Sequence, residues 1–273
     1  MNTHPKNFFK LQNSIHALAA VLACALFTTT QAQTNLVANG SFEAGPAGEG
    51  QFTSWSSTGP ADNNSNYGVA HAGTAPEVAE QGSYFAYFRG HPTDNSQDCL
   101  GNSVSLKLGA LYNISYYLGT DGPLTNGAAM WVVIGPSFGI SSVDVTLPSY
   151  FPNSATALPY QKFSALYLAT NTAPILSFHG INATNALPVT NGILLDNVSM
   201  TLAYPPLTLN FSRPSSLVFS WPYTNSPYRL QTNASLLTTN WGTMGNAPVN
   251  AGTNSQITLP TPATAQFYRL TLP

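Results

Sequence analysis

Four carboxylates gather in one short stretch, Glu77, Glu80, Asp94 and Asp98, with His91 between them. Glycoside hydrolysis ordinarily needs two carboxylates flanking the scissile bond, one to deliver a proton and one to act as nucleophile or base. This segment could hold such a pair or a metal, but it reads better as polar loops around the aromatic run Ser83–Arg89. Nucleophilic chemistry is poorly served elsewhere. No Gly-x-Ser-x-Gly turn, His-Glu-x-x-His pattern, cysteine pair or phosphate loop is present. His71 and His91 fall in turn-like stretches and His179 ends an apolar run. These residues predict a chain without catalytic activity.

What the chain does have is aromatic rings on a charge-poor background: aromatics are 11% of the residues and charged residues only 7%. An exposed ring stacks on apolar C–H faces, and Arg, carboxylates or amides bond hydroxyl pairs, so a shallow groove holding both suits a hydroxyl-rich ligand. The candidates are Trp55, Tyr67, Tyr84, Tyr87, Arg89 and Trp131. Trp55 lies in a Ser/Thr-rich loop and reads equally as ligand platform or core. Trp131, inside the apolar run Ala129–Ile134, reads more readily as core, where strand aromatics usually sit. Tyr84 and Tyr87 point to opposite faces of one strand, so at most one of them sees a given ligand.

The elements that must position these residues are strands. Residues 1–32 are set apart first: Lys6 and Lys10, the apolar run Ile15–Phe27 and the small residues before Ala32 predict a secretory signal peptide. Cleavage there leaves Cys99 as the one cysteine, expected as a small buried residue, and a formal charge of −4, from six basic and ten acidic residues. That balance argues against nucleic acid, which requires a basic footprint. No later segment is apolar enough to span a bilayer. Strand signals recur at Ser83–Arg89, Ser103–Leu108, Tyr112–Leu118, Ala129–Ile134, Ala173–Phe178 and Ile193–Leu202. The paired prolines of Ala203-Tyr-Pro-Pro206 mark a boundary. Six further strands follow it: Leu207–Phe211, Ser216–Trp221, Tyr228–Thr232, Trp241–Met244, Ser255–Leu259 and Phe267–Leu272. The expected organisation is an all-β protein with a larger domain over 34–202 and a small β-sandwich over 207–273.

Two phrases bracket the larger domain, Asn35-Leu-Val-Ala-Asn-Gly-Ser-Phe-Glu43 and Gly192-Ile-Leu-Leu-Asp-Asn-Val-Ser-Met200. They resemble the first and last strands of the galactose-binding-like jelly roll, a β-sandwich shared by several carbohydrate-binding module families. The resemblance implies that the two phrases lie side by side and that a structural calcium ion sits there. Glu43 and Asp196 are the carboxylates it would use, with Ser41 adding an oxygen. It also implies binding of a polysaccharide or glycan without cleavage, in a secreted or cell-surface bacterial protein. Leu217-Val-Phe-Ser-Trp-Pro222, Tyr228-Arg-Leu-Gln-Thr-Asn233 and Gln266-Phe-Tyr-Arg-Leu270 resemble a fibronectin III or immunoglobulin-like C-terminal module of secreted bacterial proteins, which implies attachment or spacing. The rival expectation is a structural or adhesive envelope protein that uses the same sandwich to bind protein partners. Trp55 and its neighbouring aromatics decide between them: exposed in one groove they favour glycan, and all buried beside one flat, apolar edge they favour the rival.

Overall fold

The computed structural model of the protein describes residues 33–49, 51–58, 67–73, 78–89, 98–124, 128–138, 143–181, 191–212 and 215–273. The expected leader with Cys24, and the candidates Glu77, His91 and Asp94, lie outside the described residues. Every regular element among the described residues is a β-strand, and no helix is long and apolar enough to cross a membrane. The chain divides into two compact units, Gln33–Ala203 and Tyr204–Pro273.

The first unit is a sandwich of two antiparallel sheets. One holds β1 (Gly48–Glu49), β3 (Tyr67–His71), β4 (Tyr84–Phe88), β11 (Ile193–Ala203), β6 (Leu111–Thr120) and β9 (Gln161–Leu168), in that spatial order. The other holds β2 (Ser56–Thr58), β5 (Asp98–Ser103), β10 (Ile175–Ile181), β7 (Ala129–Gly135) and β8 (Val145–Thr146). In β6, Tyr112, Ile114, Tyr116 and Leu118 alternate inward and are all buried, as their period-two spacing predicts. The sheets meet where Phe178 of β10 sets its ring edge-on to Tyr116 of β6, centroids 5.3 Å apart. The Tyr116 hydroxyl donates to the Pro148 carbonyl.

The expected strand over Ser103–Leu108 does not form. Val104 and Leu106 are buried, and their amides donate to Pro174 and Thr172 carbonyls. The chain then turns at Lys107–Ala110 and leaves Leu108 exposed. The phrase Asn35–Glu43 is likewise no regular strand. Asn39 and Phe42 take positive φ of 51° and 58°, and the Asn39 side chain bridges Ala44 and Thr53 backbone groups. The phrase nevertheless lies against β11 as expected. Leu36 N donates to Met200 O, Asn35 Nδ2 to Val198 O, and Val198 N to Gly40 O. Gly40 is needed there because a Cβ at that position would lie 2.0 Å from the Val198 carbonyl oxygen.

The second unit pairs β12 (Thr208–Ser212), β13 (Ser216–Pro222), β17 (Asn254–Pro260) and β16 (Val249–Ala251) in one sheet, and β15 (Gly242–Thr243), β14 (Arg229–Asn233) and β18 (Phe267–Thr271) in another. Phe219 of β13 and Tyr268 of β18 bring the two sheets together, centroids 4.4 Å apart. Leu217, Trp221, Leu230 and Ile257 fill the same core.

Candidate functional site

The two bracketing phrases converge on the segment leading into β4. Asp196 Oδ2 accepts from the amides of Glu80 and Gln81 at 2.8 and 2.9 Å, and its Oδ1 accepts from Asn197 N at 2.6 Å. Glu43 Oε1 accepts from the amides of Ser83 and Tyr84 at 2.8 and 2.7 Å. Glu80 Oε2 accepts from Asn197 Nδ2 at 2.9 Å. Asn197 itself takes φ of 48°, at the irregularity of β11 between Asp196 and Ser199. The bulge lifts the strand and turns the Asp196 carboxylate toward the 80–84 segment.

This donor set fits calcium in kind. All three side chains are carboxylates, the hard oxygen donors that ion takes. None pairs with a cationic side chain among the described residues, and there Glu43 Oε2 and Glu80 Oε1 make no hydrogen bond. Asp196 is fully buried. Burial raises its carboxyl to about 7, helped by the neighbouring charge of Glu80 and opposed by the three amides, so a nearby cation would relieve a real cost. As they stand, no three acidic, histidine or cysteine side chains among the described residues close on a common point. Glu80 belongs to the carboxylate stretch that the sequence offered for an acid–base pair or a metal, and the two bracketing phrases did not supply it. Ser41, expected to contribute, lies half-buried in the turn and makes no hydrogen bond to the group among the described residues.

The six binding candidates are not brought into one groove. Trp55 is core: 7% exposed, stacked on Phe42 at 5.3 Å, with Nε1 donating to Asn39 O at 3.0 Å. Tyr67 is also buried, packed between Phe52 and Phe88. Tyr87 joins Phe85 and Leu194 in a buried cluster on the opposite face of β4, with Tyr160 against it. Arg89 lies over the Tyr87 ring at 4.7 Å and pairs with the buried Asp121 at 3.3 Å. Tyr84 is half-buried, its ring set edge-on to His71. The rings of Trp55, Tyr67 and Tyr87 are thus packed in the core, while Tyr84 and Arg89 keep part of their surface in water.

Trp131 departs from expectation in the other direction. It is 36% exposed, on the face of β7 opposite the buried Val132 and Ile134. Phe151, 57% exposed, stands edge-on to it at 5.1 Å. The strand period places Trp131 on one face or the other, but only the covering of the faces says which is open. The following residues, Asn153 to Thr156, supply further amide and hydroxyl groups at or near the surface.

Across the sheet from Trp131 lie His179 of β10 and Cys99 of β5, at one register level. His179 Nε2 stands 2.9 Å from Ser177 Oγ and 3.5 Å from Cys99 Sγ. Nucleophilic use of such a trio requires a thiolate or a basic imidazole. Burial instead pushes the Cys99 thiol up to about 12 and lowers the His179 pKa, so both groups stay neutral.

No protein-family model and no curated protein sequence matches the chain. Among solved structures it is similar to TmCBM61, solved in complex with β-1,4-galactotriose: 15% identity, TM-score 0.43, covering 62% of this chain and 99% of that one. It is similar to the K1 cleaved adhesin domain of Lys-gingipain from Porphyromonas gingivalis W83, at 14% identity and TM-score 0.43, covering 63% and 99%. A CBM4 structure follows at 17% identity and TM-score 0.35, covering 61% and 99%. Identities this low carry neither ligand nor activity across.

Proposed function

We propose that the first unit binds a polysaccharide or glycan without cleaving it, and that Trp131 and Phe151 are its platform. The observation that carries this reading is the exposed edge-to-face pair itself. Trp131 on β7 and Phe151 in the loop after β8 together leave adjoining apolar ring surface in water, and covering it with a ligand would recover roughly 25 cal/mol per Å². The adjoining Asn153, Ser154 and Thr156 offer amide and hydroxyl groups that suit sugar hydroxyls. A structural calcium ion belongs to the same proposal, and Glu43, Glu80 and Asp196 are the carboxylates it would draw together. When bound it would compensate the buried Asp196 charge and fix the 80–84 segment against β11. These chain groups take no part in ligand contact. Their work is to hold the segment's amides in place.

The test is retention of the folded protein on a panel of insoluble and immobilised neutral polysaccharides, in calcium and in chelator. Trp131→Ala and Phe151→Ala are expected to abolish retention while the circular dichroism stays native and the melting temperature falls by no more than a few degrees, and chelator is expected to lower the parent's melting temperature. No retention anywhere, or retention unaffected by Trp131→Ala, overturns the glycan reading. A melting temperature indifferent to calcium and chelator overturns the metal.

A second reading has its own observation. Leu166, 59% exposed, stands on β9, the open edge of the six-stranded sheet. An edge strand with an apolar outward residue can accept another strand or a protein partner. Envelope-protein capture that Leu166→Lys abolishes, without any glycan retention, favours that structural or adhesive role.

A further inference from the structure

The formal charge of the chain is very unevenly spread. All ten acidic residues lie between Glu43 and Asp196, where only Arg89, Lys107 and Lys162 oppose them, leaving seven net negative charges over 33–203. Residues 204–273 contain no Asp or Glu at all, and carry Arg213, Arg229 and Arg269. The second unit is therefore a purely cationic module attached to an acidic one, an asymmetry that whole-chain charge conceals.

Two of its arginines share one face. Arg229 and Gln231 are alternate residues of β14, so they point the same way. Gln231 is directly opposite Arg269 on β18, and Arg229 opposite Thr271. Arg229 and Arg269 are thus diagonal neighbours, about 7–8 Å apart along the backbone. The other face of the same strands carries the buried Leu230 and Leu270, so the arginine face looks away from the core. Arg269 is held in place: its guanidinium lies 4.2 Å over the Trp241 ring, and Nε donates to Gln231 Oε1 at 2.9 Å. Arg229 Nη1 donates to the Tyr228 carbonyl at 3.2 Å. No Asp or Glu side chain lies within the unit to oppose either arginine. Trp241, Arg229, Gln231 and Arg269 are all partly exposed.

We propose that this face of the three-stranded sheet binds an acidic polysaccharide, with Arg229 and Arg269 taking successive carboxylate or sulfate groups. A guanidinium presents a planar fork that matches a carboxylate, and one pre-set by an aromatic face and an amide loses little freedom on binding. Two fixed cations are too few for a nucleic acid, whose binders neutralise about 6–10 phosphates. They suit two nearby carboxylates of a uronate chain, which repeats one anion per sugar.

The experiment uses the full chain on polygalacturonate-coupled beads, with the fully methyl-esterified polymer as the uncharged control. Retention is expected on the first and not the second, falling roughly tenfold in affinity between 50 and 200 mM NaCl for two contacts. Arg229→Gln with Arg269→Gln should abolish that retention and leave the circular dichroism and melting temperature in place. Arg213→Gln, which removes the same charge from the same unit, should cost clearly less than Arg269→Gln. Equal losses for the two overturn the assignment to this face. Passage through the acidic polymer at low salt, or equal retention on DNA-cellulose, overturns the acidic glycan. Salt-sensitive self-association in sedimentation, lost in the double variant, overturns it in favour of a second copy's acidic unit. Neutral-glycan retention through Trp131 is read separately, so either proposal can fail alone.

Discussion

Replacing Trp55 distinguishes a buried anchor from a ligand platform most directly. The indole stacks on Phe42, leans on Phe178 at 6.1 Å and donates from Nε1 to the Asn39 carbonyl. A tryptophan buries roughly 150–250 Å², and at about 25 cal/mol per Å² its removal forfeits about 4–6 kcal/mol. This agrees with the 3–5 kcal/mol, roughly, that large aromatic truncations cost in cores. Trp55→Phe keeps a ring against Phe42 and loses mainly the indole hydrogen bond, so about 1–2 kcal/mol is expected. Since domains are stable by only about 5–15 kcal/mol, Trp55→Ala should lower the urea midpoint of the first unit by about 2 M if m is about 2 kcal/mol/M. Urea titrations followed by circular dichroism read this, alongside glycan retention by Trp55→Phe at a temperature where it is folded. A Trp55→Ala protein with an unchanged midpoint refutes the packing account. A folded Trp55→Phe protein that no longer binds glycan refutes the assignment of the platform to Trp131.

Gly40→Ala should destabilise the first unit by about 1–3 kcal/mol, because its Cβ would meet the Val198 backbone carbonyl. Gly245→Ala, with nothing within 4 Å and no positive φ, should fall within about 0.5 kcal/mol of the parent in the same denaturation assay. Burial lowers the His179 pKa, so its contribution to stability is full above the unfolded value of 6.5 and is lost as pH falls, by at most about 1.4 kcal/mol per pH unit. Asp196 works in the opposite sense, its contribution being full below 3.8 and lost as pH rises through about 7. The His179 contribution is therefore read as the difference between the parent and His179→Gln, whose stability should fall less between pH 6.5 and 5; identical profiles contradict it. Cys99, with its thiol at about 12, should react with a disulfide reagent at pH 8 about a thousandfold more slowly than an exposed thiol, unless the unit is unfolded. Fast labelling of the native protein contradicts that burial.

The strands that announced themselves either alternate over one wet face or run almost continuously apolar, as β7 does. In β6 and β13 the apolar residues alternate with polar ones, so the period survives in the sequence. β9 escaped notice because it is an edge strand, with Gln161, Lys162, Ser164 and Leu166 exposed, and carries little apolar alternation. β5 was missed because it buries Asp98, Asn102 and Gly101. Its polar groups are satisfied from elsewhere, Asn102 donating to the Ala38 and Ser54 carbonyls. The meeting of Glu43 and Asp196 at one segment followed from the two bracketing phrases. Glu80 did not, since its role depends on a bulge 116 residues away. The open question over Trp55 and the reversal of Trp131 have one cause: a ring's fate depends on what distant chain covers its face, and no local pattern encodes that.

The position of β11 sets the order in which the molecule can be built. It is the last strand of its unit in sequence, yet it lies in the middle of the six-stranded sheet, between β4 and β6. Until it arrives, that sheet exists only as two separate ribbons with facing open edges. The N-terminal phrase has nothing to dock on either, since Asn35 bonds Val198 and Met200 across 163 and 165 residues. Such distant pairing makes for slow closure. A nascent chain stalled before Ile193 would offer a gap shaped for one strand, and a neighbouring chain's β11 could fill it as readily as its own. Domain-swapped dimers are thus the characteristic error to look for when this protein is made faster than it can finish.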